Sequence, residues 1–227
     1  MRAVLWDMDG TLVDSEKLWD IGLHELYTRF GGELTPEVRE STVGGSSDSL
    51  MAIVFADLGL EPDPAVMAET AAWLHAYVGE LFEQGLPWCE GAREMLDALA
   101  ADGVPMALVT NTHRDLAEKA LNSIGRHYFS VTVCGDEVPT GKPAPDPYLR
   151  AAELLGVDPA DCLAVEDSVT GSQSAETAGC AVLVIPNEVD VPLSVRRHQE
   201  RSLGALSVAT LRDIHRELDE LTGERTA

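Results

Sequence analysis

The sequence predicts an α/β protein, a doubly wound parallel sheet with an inserted all-helical cap domain. Five short apolar runs lack the strict alternation of half-exposed strands, which is typical of parallel strands covered on both faces. Helical patterns separate these runs, and alternating strands and helices favour a parallel sheet. The alternation stops once, because no second strand pattern appears between the first run and about residue 104. The predicted strands are residues 3–9, 105–110, 130–135, 162–167 and 181–186.

Helix start and stop signals lie between these strands. Thr112 and Asp115 have the spacing of a capping box, which predicts a helix running toward Gly125. Asp146, followed by a proline, is typical of an N-cap and predicts a helix that ends near Gly156. Other helices are predicted before the second strand and at the end of the chain.

The interruption predicts the domain organisation. Residues 15–87 form the predicted helical cap, and residues 1–14 and 88–227 form the predicted core. Three apolar patterns with helical spacing follow one another in the insertion. Their apolar positions are Trp19, Leu23, Leu26, Tyr27 and Phe30; Leu50, Met51, Val54, Phe55 and Leu58; and Val66, Trp73, Leu74, Tyr77, Val78, Leu81 and Phe82.

The composition excludes several classes of partner. The 227 residues include 16 Lys and Arg against 39 Asp and Glu, which gives a net charge of −23. Because nucleic acids and anionic membranes are bound by clustered basic residues, neither is an expected partner. No apolar run approaches the ~18 residues that a bilayer-spanning helix needs, and the first residues do not resemble a signal peptide. We therefore expect a cytoplasmic protein that acts on a small molecule, and we take it to be a monomer.

Seven polar side chains lie at or after the ends of predicted strands. Ligands of open α/β sheets bind at the carboxyl ends of the strands, so these side chains are predicted to converge there. Two carboxylates at i and i+2, joined by a further acidic pair, make an oxygen-rich site that suits Mg²⁺. The seven residues are Asp7 and Asp9 after the first strand, Thr110 and Asn111 after the second, Lys142 in the loop after the third, and Glu166 and Asp167 after the fourth.

Four sequence motifs carry a more specific resemblance. They are DMDGT at residues 7–11, VTNT at 109–112, GKPAPDP at 141–147 and VEDS at 165–168. In this order and spacing they resemble the motifs of the haloacid dehalogenase superfamily. With a helical cap after the first strand, the chain is similar to the branch that contains phosphoglycolate phosphatase, sugar-phosphate phosphatases and β-phosphoglucomutase. The resemblance implies a Rossmann-like core and a Mg²⁺-dependent phosphatase acting on a small phosphate monoester.

The resemblance also implies roles for the acidic residues. Asp7 is the expected nucleophile, which becomes an aspartyl phosphate. Asp9 is the expected general acid for the leaving group and the base for the attacking water. Mg²⁺ is expected against Asp7, Asp167 and the backbone carbonyl of Asp9, with Glu166 as a lesser contributor.

Further residues are expected to bind the substrate. Thr110 and Asn111 would donate hydrogen bonds to the phosphoryl group, near the start of the following helix, and Lys142 would neutralise phosphate and nucleophile together. The insertion is expected to act as a lid that lines the pocket of the leaving group. Trp19 is a candidate there, although it is equally typical of the core of the first cap helix. The other candidates are Gly44, Gly45 and Ser46, the glycines for close approach of the backbone.

Single residues separate the related activities. Dehalogenases lack the second aspartate because a halide needs no proton, whereas Asp9 is present here. Phosphonatases use a cap lysine, and no lysine occurs between Lys17 and Lys119. A β-phosphoglucomutase-like mutase remains the alternative, although from Glu40 to Ala92 the chain has no Lys or Arg to hold a second phosphate. A non-enzymatic binding module is disfavoured because all four motifs are intact.

Overall fold

The computed structural model describes residues 1–42, 47–187 and 190–223. The chain divides into two compact units, an α/β unit of Met1–Asp14 with Pro87–Ala227 and a helical unit of Ser15–Leu86. None of the helices in the described ranges is both long and apolar enough to cross a membrane.

A parallel sheet forms the centre of the α/β unit. In the described ranges its strands are β1 (Ala3–Trp6), β2 (Met106–Val109), β3 (Val131–Val133), β4 (Cys162–Glu166), β5 (Ala181–Val184) and β6 (Arg197–Gln199). Their order across the sheet is β3-β2-β1-β4-β5-β6, and each neighbouring pair is parallel. β1, β2, β4 and β5 are buried along their whole length. The prediction of a doubly wound parallel sheet covered on both faces is therefore confirmed.

The sixth strand is the element of the sheet that the sequence patterns missed. β6 consists of Arg197, His198 and Gln199, three half-buried residues at the edge of the sheet. A strand at the edge is covered less completely than a central one, so it does not need an apolar run. The five strands predicted from apolar runs are all present, each shorter than the run that predicted it.

Amphipathic helices make up the helical unit. They are α1 (Glu16–Phe30), α2 (Pro36–Thr42), α3 (Ser47–Asp57) and α4 (Pro64–Glu83). Asp63 caps α4, because its Oδ1 accepts hydrogen bonds from the backbone N–H groups of Ala65 at 2.8 Å and Val66 at 3.2 Å. The short helix α2 was not predicted separately. Buried side chains on the predicted apolar faces are Leu23, Leu26, Tyr27, Leu50, Met51, Val54, Phe55, Leu74, Val78 and Phe82.

The helices of the α/β unit are α5 (Ala92–Ala101), α6 (Arg114–Ile124), α7 (Asp146–Leu155), α8 (Val169–Ala178) and α9 (Val208–Gly223). Two of their starts differ from the sequence prediction. α7 includes Asp146 as its first residue, so Asp146 is not its N-cap. α6 begins after His113, and the predicted capping box of Thr112 and Asp115 was wrong. The Thr112 hydroxyl donates to the Asp9 carboxylate and does not accept from a backbone N–H of the helix.

Candidate active site

Three neighbouring strands place polar residues at the same edge of the sheet. β1 lies between β2 and β4, and all three are parallel. Asp7, Thr110 and Asp167 directly follow these strands. Because the carboxyl ends of parallel strands share one edge, the three residues lie at that edge. Lys142 comes to the same place from the loop between β3 and α7.

Lys142 forms a buried ion group with two carboxylates. Its Nζ lies 2.6 Å from Asp7 Oδ1 and 2.6 Å from Glu166 Oε1. The exposed fractions of the three side chains are 4% for Lys142, 9% for Asp7 and 0% for Glu166. Since an unpaired buried charge is strongly destabilising, the Lys142 ammonium depends on its two carboxyl partners.

Burial and neighbouring charge shift the pKa values of this group. Burial raises the pKa of Asp7 to about 8; the Lys142 ammonium opposes this shift, and the charges of Glu166 and Asp9 add to it. Burial lowers the pKa of Lys142, but Asp7 and Glu166 outweigh this effect and hold it above its usual value. Lys142 is therefore charged, whereas burial favours the protonated form of Asp7.

Glu166 has hydrogen-bond donors on both of its oxygens. Oε1 accepts from the Tyr148 hydroxyl at 2.5 Å as well as from Lys142, and Oε2 accepts from the Ser168 hydroxyl at 3.2 Å. Burial and Glu166 raise the pKa of Tyr148 well above its usual value, so its hydroxyl stays a donor. Gly171 of α8 lies against the carboxylate, since a Cβ there would be 2.0 Å from both Glu166 oxygens. Any side chain at Gly171 would displace Glu166.

Three carboxylates form a candidate metal site. One oxygen from each of Asp7, Glu166 and Asp167 lies within 4.8 Å of the other two. Carboxylate oxygens suit hard divalent cations, and Mg²⁺ takes one or two of them while it keeps waters and phosphate oxygens. Gly10 makes room for Asp167, because its φ is +86° and a Cβ would lie 2.1 Å from Asp167 Oδ2. The three oxygen donors, so close together, fit a divalent cation.

Asp9 is held by two threonine hydroxyls. Its Oδ2 accepts from Thr110 Oγ1 at 3.1 Å and from Thr112 Oγ1 at 2.8 Å. The backbone N–H of Thr112 donates to Thr110 Oγ1 at 3.0 Å. The sequence predicted that Thr110 donates to a phosphoryl group, whereas in this structure its hydroxyl donates to Asp9.

Asn111 also has a partner that the sequence did not predict. Its Oδ1 accepts from the backbone N–H of Lys142 at 2.8 Å, and its Nδ2 donates to the Lys142 carbonyl at 3.1 Å. Gly141 permits this approach, because a Cβ there would lie 2.7 Å from Asn111 Oδ1. The Asn111 side chain therefore fixes the loop that carries Lys142, and its donation to a phosphoryl group stays a prediction.

The residues predicted to contact the leaving group belong to the predicted cap. Gly44, Gly45 and Ser46 lie outside the described residues. Trp19 of α1 is half-buried, and its ring makes an edge contact with His75 of α4, with the ring centroids 5.7 Å apart. This contact lies within the helical unit. A part for Trp19 in substrate binding stays a prediction.

Three side chains of the site were not predicted from the sequence: Tyr148, Ser168 and Thr112. Tyr148 lies in the first turn of α7 and is buried. A hydroxyl-bearing residue on the buried face of a predicted helix was the sequence signal that could have indicated a buried hydrogen bond. Ser168 caps α8, because its Oγ accepts from the Gly171 N–H at 3.0 Å while it donates to Glu166. The position of Ser168 directly after Glu166 and Asp167 in the sequence did not predict its hydrogen bond to Glu166.

A parallel sheet with clustered carboxylates and a buried lysine at its carboxyl edge is the arrangement that the four motifs predict. Residues 1–179 match the model of a family of hydrolases described as haloacid dehalogenase-like hydrolase. The chain therefore belongs to the haloacid dehalogenase-like hydrolase family.

Individual relatives extend this assignment over most of the chain. A phosphoglycolate phosphatase from Thiobacillus denitrificans is 31% identical over 189 residues, which cover 82% of this chain and 83% of the relative. The protein CbbY from Rhodobacter capsulatus is 33% identical over 198 residues, which cover 83% of this chain and 86% of the relative. The crystal structure of CbbY from Rhodobacter sphaeroides in complex with phosphate is similar with a TM-score of 0.84 and 25% identity, covering 93% of this chain and 99% of that one.

Proposed function

We propose that the protein is a Mg²⁺-dependent phosphatase that hydrolyses a small phosphate monoester, such as a sugar phosphate, through an aspartyl phosphate on Asp7. The observation that carries the proposal is the Lys142 ammonium, 2.6 Å from both Asp7 and Glu166, in a cluster that also holds the Asp167 carboxylate. The family and the similarity to a phosphoglycolate phosphatase support a phosphatase that acts on a small phosphorylated molecule.

The first step forms the covalent intermediate. A carboxylate oxygen of Asp7 attacks phosphorus in line with the leaving oxygen. The bond between phosphorus and the leaving oxygen breaks, and Asp9 gives its proton to the departing alkoxide. Lys142 balances charge on Asp7 and on the incoming phosphoryl group. The products are the free alcohol and a phosphoryl group bound to Asp7.

The second step restores the enzyme. Asp9, now ionised, takes a proton from the water that attacks the phosphorus of the aspartyl phosphate. The bond between phosphorus and Asp7 breaks, which releases inorganic phosphate and regenerates the Asp7 carboxylate. Positioned acid–base catalysis of this kind contributes ~10²–10⁴-fold to the rate.

The proposed metal ligands are Asp7, Asp167 and the backbone carbonyl of Asp9, with a lesser part for Glu166. When bound, Mg²⁺ would offset the carboxylate charge, keep Asp7 ionised despite the burial that raises its pKa, and polarise the phosphoryl oxygens. Glu166 has the lesser part because its Oε1 already accepts from Lys142 and Tyr148.

We further propose that the helical unit is the cap and that the leaving group carries no second phosphate. From Glu40 to Ala92 the sequence has no Lys or Arg and nine acidic residues. Arg39, just before this stretch, is already paired with Glu16 at 2.6 Å and Asp20 at 2.8 Å. Anionic groups are usually bound by guanidinium or ammonium groups, so this charge pattern favours monophosphates.

Phosphate release from a panel of phosphorylated metabolites and from p-nitrophenyl phosphate tests the proposal. We expect release with Mg²⁺, loss of activity with excess chelator, and recovery when Mg²⁺ is returned. Rapid acid quench of a reaction with a phosphate-labelled substrate should leave a protein label that hydroxylamine removes, as expected for an acyl phosphate. Full activity after exhaustive chelation would contradict the metal assignment. The absence of release from any monoester would contradict the phosphatase.

A further inference from the structure

The Asp9 carboxylate makes a contact that the reaction above does not use. Thr112 Oγ1 donates to Asp9 Oδ2 at 2.8 Å, a shorter bond than the one of 3.1 Å from Thr110. The backbone N–H of Thr112 donates to Thr110 Oγ1 at 3.0 Å, so the hydroxyl proton of Thr110 is directed to Asp9. Thr110, Thr112 and Asp9 therefore close a ring of hydrogen bonds on one carboxylate oxygen.

The Thr112 hydroxyl binds Asp9, whereas the local sequence predicts that it caps α6. Thr112 and Asp115 have capping-box spacing, but the hydroxyl of Thr112 does not cap α6. The backbone N–H of Arg114, at the start of the helix, donates instead to Asp136 Oδ1 at 2.9 Å. Because another segment satisfies the start of the helix, the Thr112 hydroxyl is available to Asp9. Departures from local rules of this kind concentrate at functional sites.

We propose that Thr112 is a positioning residue for Asp9, the general acid and base of the reaction. Its hydroxyl fixes the orientation of the carboxylate by holding Oδ2. Thr112 acts through Asp9 and does not itself take part in bond making. The inference rests on the proposed function, because it assigns a part in that reaction.

Three variants separate the hydroxyl from the bulk of the side chain. Thr112→Val keeps the shape of threonine and removes the donor, whereas Thr112→Ser keeps the donor. Thr177 is an exposed threonine of α8 whose hydroxyl donates to the Gln173 carbonyl at 2.7 Å. Thr177→Val is therefore a matched control for the chemical change. Thermal unfolding checks that each variant folds, and Thr112→Ala replaces the valine variant if that one does not.

The measurement is kcat/KM for p-nitrophenyl phosphate and phenyl phosphate, because kcat/KM reports the formation of the aspartyl phosphate. A nitrophenolate leaves readily without a proton, whereas a phenolate benefits from general acid catalysis. We expect Thr112→Val to lose about tenfold or more on phenyl phosphate and less than about threefold on p-nitrophenyl phosphate, part of the ~10²–10⁴-fold that a general acid supplies. Thr112→Ser and Thr177→Val should keep the wild-type ratio of the two substrates.

A double-mutant cycle with Asp9→Asn tests whether Thr112 acts through Asp9. In the Asp9→Asn background, Thr112→Val should change kcat/KM for phenyl phosphate by less than about twofold, because the group that it positions is gone. Equal losses on both aryl phosphates, or the full loss in the Asp9→Asn background, would overturn the positioning role and leave the phosphatase standing. No turnover of any monoester by the wild-type protein would overturn the proposed function and this inference with it.

Discussion

The α/β unit and the helical unit each join one cation to two carboxylates, but in different surroundings. In the α/β unit, Lys142 is buried together with Asp7 and Glu166 at the carboxyl edge of the sheet. In the helical unit, Arg39 lies 2.6 Å from Glu16 and 2.8 Å from Asp20, and Asp20 remains 45% exposed. The number of ion pairs therefore does not distinguish the two groups. Their access to water does.

This difference in access separates chemistry from structural support. Charges removed from water are costly, and well-packed hydrophobic residues often replace a buried ion pair without loss of stability. An ion group that is kept at this cost, at the edge where α/β proteins bind ligands, points to a reaction. Arg39 links α2 to α1 through partly exposed contacts, which points to support of the helices. The predictions below test this division.

The largest expected effect is the loss of turnover on Asp7→Asn. We expect a decrease of ~10³-fold or more, because an amide cannot serve as the nucleophile. Phosphate release measures the rate, and circular dichroism with thermal unfolding should show an intact fold. Asp213→Asn is the control, since Asp213 is an exposed carboxylate paired with Arg216. More than a few per cent of the wild-type rate in purified Asp7→Asn protein would disprove the aspartyl phosphate.

The acidic helical unit predicts a phosphatase rather than a mutase. A mutase must hold the second phosphate of a bisphosphate, and the segment from Glu40 to Ala92 offers no Lys or Arg for it. We expect release of phosphate from monophosphates, poor use of bisphosphates, and no detectable isomerisation of β-glucose 1-phosphate even with a bisphosphate primer. A coupled dehydrogenase assay for glucose 6-phosphate checks this. Rapid conversion would favour the β-phosphoglucomutase alternative.

Within the α/β unit, Asp167 and Glu166 should separate metal binding from structural support. Asp167→Ala should raise the Mg²⁺ concentration for half-maximal activity by about tenfold or more, and Glu166→Ala should raise it less. Glu166→Ala should lower the unfolding temperature more, because Lys142 and Tyr148 lose their buried acceptor. Titration of activity with Mg²⁺ and thermal unfolding give both quantities. The reverse order in the Mg²⁺ titration would show that Glu166, and not Asp167, is the main metal ligand of the two.

In the helical unit, removing the cation should affect stability and leave the chemistry largely unchanged. Arg39→Met should lower the free energy of unfolding by about 2 kcal/mol, because charge-assisted hydrogen bonds to Glu16 and Asp20 are lost. Arg29→Met is the comparison, since Arg29 lies over the Trp73 ring at 4.9 Å, a contact worth about 0.5–1 kcal/mol. Urea unfolding measures both. A large loss of p-nitrophenyl phosphate turnover in Arg39→Met would contradict the division between the units.

The smallest effect concerns pH and a buried histidine of the α/β unit. His215 of α9 donates from Nε2 to the Ala160 carbonyl at 3.0 Å, and burial lowers the pKa of its ring. Below its usual pKa of about 6.5 the unfolded chain binds a proton that the folded one resists, so stability falls as the pH falls through that value. The stability gap between the wild type and His215→Gln should therefore narrow from about pH 7.5 to about pH 5.5 in urea unfolding. A stability gap that stays constant between these two pH values would show that His215 has the same pKa in the folded and the unfolded state.

Local patterns predicted much of the fold and part of the site. The apolar runs predicted five strands of the sheet, and the residues at three strand ends, Asp7, Thr110 and Asp167, lie at one edge. Thr112 shows where such patterns fail. Its local spacing fits a helix cap, but a contact with Asp9, 103 residues away, takes its hydroxyl instead. The sequence around Thr112 does not include Asp9, so only the fold decides whether the hydroxyl caps the helix or binds that carboxylate.

By itself, the sequence determined the α/β class, the place of the inserted helices and the residue types at the strand ends. It did so because strand burial and helix amphipathicity repeat along the chain. Only the tertiary structure decided which oxygen each donor meets. Lys142 reaches Asp7 across 135 residues, and Tyr148 and Gly171 approach Glu166 from two different helices. A buried charged group needs hydrogen-bond partners of opposite polarity within about 3 Å. The packing of distant segments, which no periodicity along the chain records, sets that distance.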